Sequence, residues 1–175
     1  MGILHDRFTG SMGRLGLTRL PCDLFHTAPC ALRFQIGGQE DIYLADHRKP
    51  NGAYLDHATD RALEIYEKLP AAPRILRIDG CPELKVSGLP GPEERASESF
   101  YWDLRKEKGF LRKLLREIVR AELDPGGYEH RVSSVYFLHP GKDVLFQLCD
   151  DRWADAAAPD AGLLRPLYEA CGPWR

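Results

Sequence analysis

The sharpest alternation of apolar and polar side chains lies at residues 31–36, where Leu32, Phe34 and Ile36 fall on one side and Arg33 and Gln35 on the other, until Gly37 and Gly38 interrupt it. A period of two predicts a half-buried strand, with the short Ile42-Tyr43-Leu44 run as its hairpin partner. The period then changes. Leu55, Ala58, Ala62, Ile65 and Leu69 recur at helical spacing, which predicts a helix over 54–69 with Asn51 as its cap and Pro70 and Pro73 as its stop. Residues 74–80 read as a second strand, parallel to the first across that helix or paired elsewhere. Proline and glycine punctuate residues 81–96, so this stretch reads as a long loop.

Leu111, Leu114, Leu115, Ile118 and Glu122, with Val119 at the edge, mark the inner side of a long helical segment predicted over 99–123. Gly109 divides it and Asp124-Pro125-Gly126-Gly127 stops it. Apolar runs over 132–138 and 144–149 flank His139-Pro140-Gly141-Lys142, the pattern of a β-hairpin with Val135, Phe137, Val144, Phe146 and Leu148 pointing inward. The strand pattern resumes at 154–157. An amphipathic helix closes the chain, expected to start near Leu164 so that Pro166 falls in its first turn. At the other end, Gly10, Gly13 and Gly16 recur every third residue, which argues for an irregular lead-in over 1–24. Helices and strands in mixed order predict one α+β domain over 1–175, with helices packed on a mixed, largely antiparallel sheet.

Composition narrows the function classes. The chain has 175 residues, 43% hydrophobic and 29% charged, with a net charge of −2, which is the profile of a globular domain. Its balance of charge supplies no whole-molecule attraction to nucleic acid or an anionic membrane. No apolar run approaches the roughly 20 residues that span a bilayer, so a cytoplasmic protein without membrane partners is expected. Five scattered cysteines fit reduced thiols better than a disulfide framework.

The segment Val144-Leu145-Phe146-Gln147-Leu148-Cys149-Asp150-Asp151-Arg152-Trp153-Ala154-Asp155, followed by Leu164-Arg165-Pro166-Leu167-Tyr168-Glu169 and Trp174, resembles a bacterial family catalogued only as a domain of unknown function, family 3885. The resemblance rests on a Tyr-Asp-Asp-Arg-Gly-x-Asp strand and a Leu-(Arg/Tyr)-Pro-Leu-Tyr helix. Residues 32–36 and 61–69 are similar to its upstream part. Cys149 stands where the family carries Tyr, Trp153 where it carries Gly, and Pro173 where a polar residue precedes the last Trp. The resemblance implies a fold and brings no established activity.

Four constellations carry possible chemistry. Asp150, Asp151 and Arg152 end the hairpin; neighbours on a regular strand face opposite sides, so the two carboxylates do not form a catalytic pair there. They read as an ion-paired turn or a partner contact, with a divalent cation as the sharper alternative. Cys22, His26 and Cys30 are spaced i, i+4 and i+8, one face of a helix and suitable zinc ligands, but prolines flank them and a fourth ligand is missing. Loop or buried thiols are the reading adopted, with no metal or cofactor. Cys149 with Asp150 and either His130 or His139 would be a thiol nucleophile only if folding brought them together; a core cysteine is the simpler reading, and His139 reads as turn chemistry. Arg105, Arg112, Arg116 and Arg120 lie close to one face of the basic segment 99–123, near Tyr101 and Trp102, which suits an acidic protein partner, nucleic acid or plain solvation by neighbouring carboxylates.

The expectation that follows is a non-catalytic protein-binding module, of the immunity type that neutralises a bacterial toxin, using Asp150, Asp151, Arg152, Arg112, Arg116 and Arg120 through electrostatic complementarity. The alternatives are a small hydrolase built on Cys149, an aspartate and a histidine, or a nucleic-acid binder using the basic segment.

Overall fold

The computed structural model describes residues 2–21, 23–45, 49–80, 90–106, 109–123 and 132–172. Among them a seven-stranded sheet runs in the order β1-β7-β6-β5-β2-β4-β3. Its strands are β1 (Ala31–Gln35), β2 (Ile75–Gly80), β3 (Glu94–Ala96), β4 (Ser99–Asp103), β5 (Val132–His139), β6 (Val144–Leu148) and β7 (Trp153–Ala157). Every pairing is antiparallel. The α+β class therefore stands, and β2 runs beside β4 and β5 without a parallel crossover.

Both faces of the sheet are covered, because alternate residues on the central strands are apolar on each side. Phe34, Leu76, Ile78, Val135, Phe137, Val144, Phe146 and Leu148 meet α3 (Gly52–Glu67), α4 (Leu111–Leu123) and α5 (Ala161–Ala170). Tyr136, Leu138, Leu145 and Ile75 meet α1 (Ile3–Arg14) and α2 (Leu24–Thr27) from behind. The five inward residues expected of the hairpin are all buried. Their opposite-facing neighbours are buried too, which a half-exposed hairpin does not require.

The helix read from the 55–69 stripe forms as expected, with the Asn51 side chain accepting from Ala53 N. Other elements differ. Residues 42–44 do not build a strand beside β1; Tyr43 makes an isolated bridge to Pro50, and β7 takes β1 instead. The aromatic run Phe100-Tyr101-Trp102 is β4, not the head of a helix. Aromatic side chains favour a pleated surface packed on both sides, and here Phe100 and Trp102 enter one core while Tyr101 enters the other. Gly109, at φ +100°, separates this strand from α4. The end of the expected loop 81–96 pairs with β4 as β3, through a tight turn carrying Ser97 at φ 55°. Residues 81–89, 124–130 and the Glu122 side chain lie outside the described residues. In α5, Asp160 caps Leu163 N and the helix begins at Ala161. Pro166 thus sits in the second turn, where it removes the bond to the Gly162 carbonyl.

The largest correction concerns residues 1–24. Residues 3–14 form α1, whose Leu4, Phe8 and Met12 stripe is buried with Leu15 and Leu17. Two interior glycines cost about 1 kcal/mol each relative to alanine, and burial of one phenylalanine, one methionine and three leucines outweighs that at about 1.5–3 kcal/mol apiece. Gly16 is the stop: at φ +73° it lets Leu17 N bond Met12 O and Gly16 N bond Gly13 O, a Schellman ending. At the start, the Glu94 carboxylate from β3 accepts from Leu4 N and His5 N, placing a negative charge at the positive end of the helix. A Cβ on Gly2 would lie 2.2 Å from the same carboxylate, so this approach needs glycine. Phe8→Ala is expected to lower the unfolding free energy by about 3–5 kcal/mol; a urea titration with an unchanged midpoint would mean that α1 contributes no core.

Candidate functional site

The Asp150–Arg152 segment is the turn between β6 and β7. Cys149 N bonds Trp153 O at 3.0 Å to close it. Asp150 Oδ1 accepts from Arg152 N at 2.7 Å and Trp153 N at 2.8 Å, the side-chain mimic of a backbone turn that aspartate favours. The turn is then docked sideways. Arg152 O accepts from Ile36 N at 2.7 Å. Asp151 points into the protein, where Tyr54 of α3 donates to Oδ2 at 2.8 Å. Gly37 makes room for this: a Cβ there would stand 2.9 Å from the Tyr54 hydroxyl. Arg61 Nη1 donates to Gly37 O at 3.1 Å, fixing the same loop from α3. Burial, reinforced by the Asp151 carboxylate, raises the Tyr54 hydroxyl above its ordinary pKa, so it stays a donor. Arg152 is the member of the trio that faces outward, its side chain 63% exposed, with Asp150 Oδ2 3.6 Å from its guanidinium.

The arginines of α4 are placed differently. Arg112 pairs with Asp60 and, at 3.7 Å, with Asp56; Arg116 pairs with Asp56 as well. These contacts lace α4 to α3. Arg120 pairs with Glu117 one turn away at 3.0 Å. The fold thus brings Asp150, Asp151 and Arg152 into one turn, while Arg112 and Arg116 already face carboxylates of their own chain.

Cys149 lies on the α1/α2 side of the sheet beside Asp155. Burial first, then the neighbouring Asp155 carboxylate, pushes its thiol up from the ordinary value. A thiol so raised is protonated at neutral pH and is a poor nucleophile. His139 binds Lys142 N through Nδ1 in the β5–β6 turn, at the opposite end of β6 from Cys149, and His130 lies outside the described residues. The zinc face suggested by Cys22, His26 and Cys30 has no helix to carry it: α2 covers only Leu24–Thr27 and Cys30 lies in the bend between it and β1. His26 Nδ1 sits 2.8 Å from Asp23 Oδ2, and Cys22 lies outside the described residues. Among the described residues no group of three or more His, Cys, Asp or Glu side chains could hold a metal ion.

Reading the chain alone passed over Tyr54, Gly37 and Asp155. The signals were present: two glycines ending an amphipathic strand, and one aspartate set among alanines in an apolar strand. Asp155 is fully buried and receives Arg33 Nε and Nη2, both at 2.7 Å, and Phe25 N at 3.0 Å.

The family profile described as "Domain of unknown function (DUF3885)" matches residues 76–175, more than half of the chain. The chain is 39% identical over 49 residues to "Uncharacterized protein YnaE" of Bacillus subtilis (strain 168), a match covering 28% of this chain and 23% of that protein's length. No solved structure matches the chain.

Two outcomes are expected. Tyr54→Phe removes the donor to a buried carboxylate and should destabilise by about 1–3 kcal/mol, read as a lowered urea midpoint. Native-state alkylation at pH 8 with peptide mapping should leave Cys149 unmodified until denaturant is added; rapid native labelling of Cys149 would contradict a raised, buried thiol.

Proposed function

This chain belongs to the family of domains of unknown function DUF3885, and on that premise we propose that it is a non-catalytic protein-binding module, of the immunity type that neutralises a bacterial toxin in the cytoplasm. The observation that carries the reading is how the reactive groups near the β6–β7 turn are used. The Cys149 thiol is held protonated beside Asp155 and Asp151 is held by Tyr54, while Arg152 stands outward with Asp150 paired beside it on a turn docked against Gly37 and α3. Charges of both signs on a rigid turn suit selective recognition of a protein surface. The arginines of α4 contribute less to this surface, because Arg112 and Arg116 would exchange an internal carboxylate for an external one. Among the described residues no helix is long and apolar enough to cross a membrane, which agrees with a partner met in solution.

A pull-down from the native host with mass spectrometry should recover a toxin as the bound protein, and co-expression with that toxin should restore growth of the host and give a complex stable to gel filtration. Failure to restore growth, together with hydrolytic activity of the purified chain, would overturn the reading. Within such a complex, Arg152→Glu should slow association about tenfold at low ionic strength and much less at high salt, as followed by stopped-flow or surface-based kinetics. An unchanged rate would remove this turn from the contact surface.

A further inference from the structure

At the opposite end of β6, α1 crosses the β5–β6 turn and leaves a cleft of about 350 Å³ lined by Arg7, Arg14, Arg74, Gly10, Gly141 and Asp6. That volume is at the lower end of small-ligand pockets. Three guanidinium groups reach it from two elements. Arg14 is fixed there: Nε and Nη2 grip the Asp143 carboxylate at 2.7 and 2.9 Å, and Nη2 also meets Ser11 Oγ at 3.1 Å. The remaining arm, Nη1, passes over Gly10, 3.5 Å from where a Cβ would stand. Among the described residues Arg7 and Arg74 have no carboxylate partner, and both are exposed. Asp6 is the one acid on the lining, and it is turned toward His5 Nδ1 at 3.0 Å. The walls beneath the arginines are low because Gly10 and Gly141 carry no side chain. The positive field reaches the neighbouring His139, whose pKa is lowered by burial first and by the Arg74 charge second.

We propose that this cleft binds a phosphate group, with Arg14 as the pre-positioned donor, Arg7 and Arg74 closing on the remaining oxygens, and Gly10 leaving the space that the anion fills. Guanidinium forks match the oxygens of a phosphate dianion and form strong charge-assisted bonds to it. A carboxylate would satisfy fewer of the three arginines. The site lies beyond the opposite end of β6 from the Asp150–Arg152 turn, so it is separate from the surface proposed for the protein partner.

The test is a titration of the labelled full chain with inorganic phosphate and with O-phosphoserine, followed by amide chemical shifts at constant ionic strength set with sodium chloride. Shifts should concentrate at residues 7–14, 74 and 140–143. A phosphate monoester binding at least tenfold tighter than inorganic phosphate would identify an organic phosphate as the ligand, and equal affinity would identify the free ion. Arg74→Ala should weaken binding at least tenfold. Gly10→Glu places a carboxylate under Arg14 on the exposed side of α1 and should abolish binding while the chain stays folded, since any residue but proline suits a helix interior better than glycine. Absence of localised shifts, or equal affinity in the wild type and in both variants, would overturn the proposal.

Discussion

Asp155 holds a carboxylate with no exposed surface in the middle of an apolar strand, and the back of the molecule is arranged to satisfy it. An unpaired buried charge costs several kcal/mol, so its partners are obligatory, not decorative. Arg33, directly opposite on β1, supplies two hydrogen bonds; Phe25 N of α2 supplies a third; the Cys149 thiol stands alongside. Asp23 Oδ1 accepts from the same Arg33 Nη2 at 2.8 Å and caps α2 by accepting from His26 N. One carboxylate thereby joins the edge strand, a short helix and the root of the β6–β7 turn.

The same row continues across the sheet. Following the register from β1 to β3 gives Arg33, Asp155, Gln147, Tyr136, Arg77, Tyr101 and Glu94, each directly opposite the next. A polar line through an otherwise apolar face is tolerable because its ends are given helical amides to bind. Glu94 at one edge receives α1, and Asp155 near the other receives α2. Phe8 and Tyr101 stack edge to face beside Arg77, which lies over both rings. The row explains why two small helices settle on this face although neither has the length to be stable alone.

The two candidate surfaces sit at the two ends of β6 and draw on these supports. The β6–β7 turn is held by Gly37, Tyr54 and the Asp155 cluster, so its outward charges are presented on a stiff base. The arginine cleft depends on α1 being docked and on the Arg14–Asp143 pair that crosses to the β5–β6 turn. Rigid presentation suits recognition, because little ordering is left to be done on binding. Cys149 and His139, which suggested catalysis, are kept apart by the same scaffold: they stand at opposite ends of the β5–β6 hairpin.

Periodicity alone determined the elements whose pattern is written in neighbouring residues: α3 with its Asn51 cap, the 135–148 hairpin, β1 and β2. The turn character of His139-Pro140-Gly141-Lys142 was legible for the same reason, since turn chemistry is written in adjacent residues. Tertiary contact decided the rest. The glycine-spaced α1 exists because Glu94, distant in sequence, caps it and because the back of the sheet offers an apolar bed. Phe100-Tyr101-Trp102 became strand because each face of the sheet had a place for an aromatic ring. Asp151 turned inward because Tyr54 and the space above Gly37 were waiting there. Pairing between strands, and the partners of buried charges, join residues far apart in the chain, and no local pattern of hydrophobic and polar positions encodes such a distance.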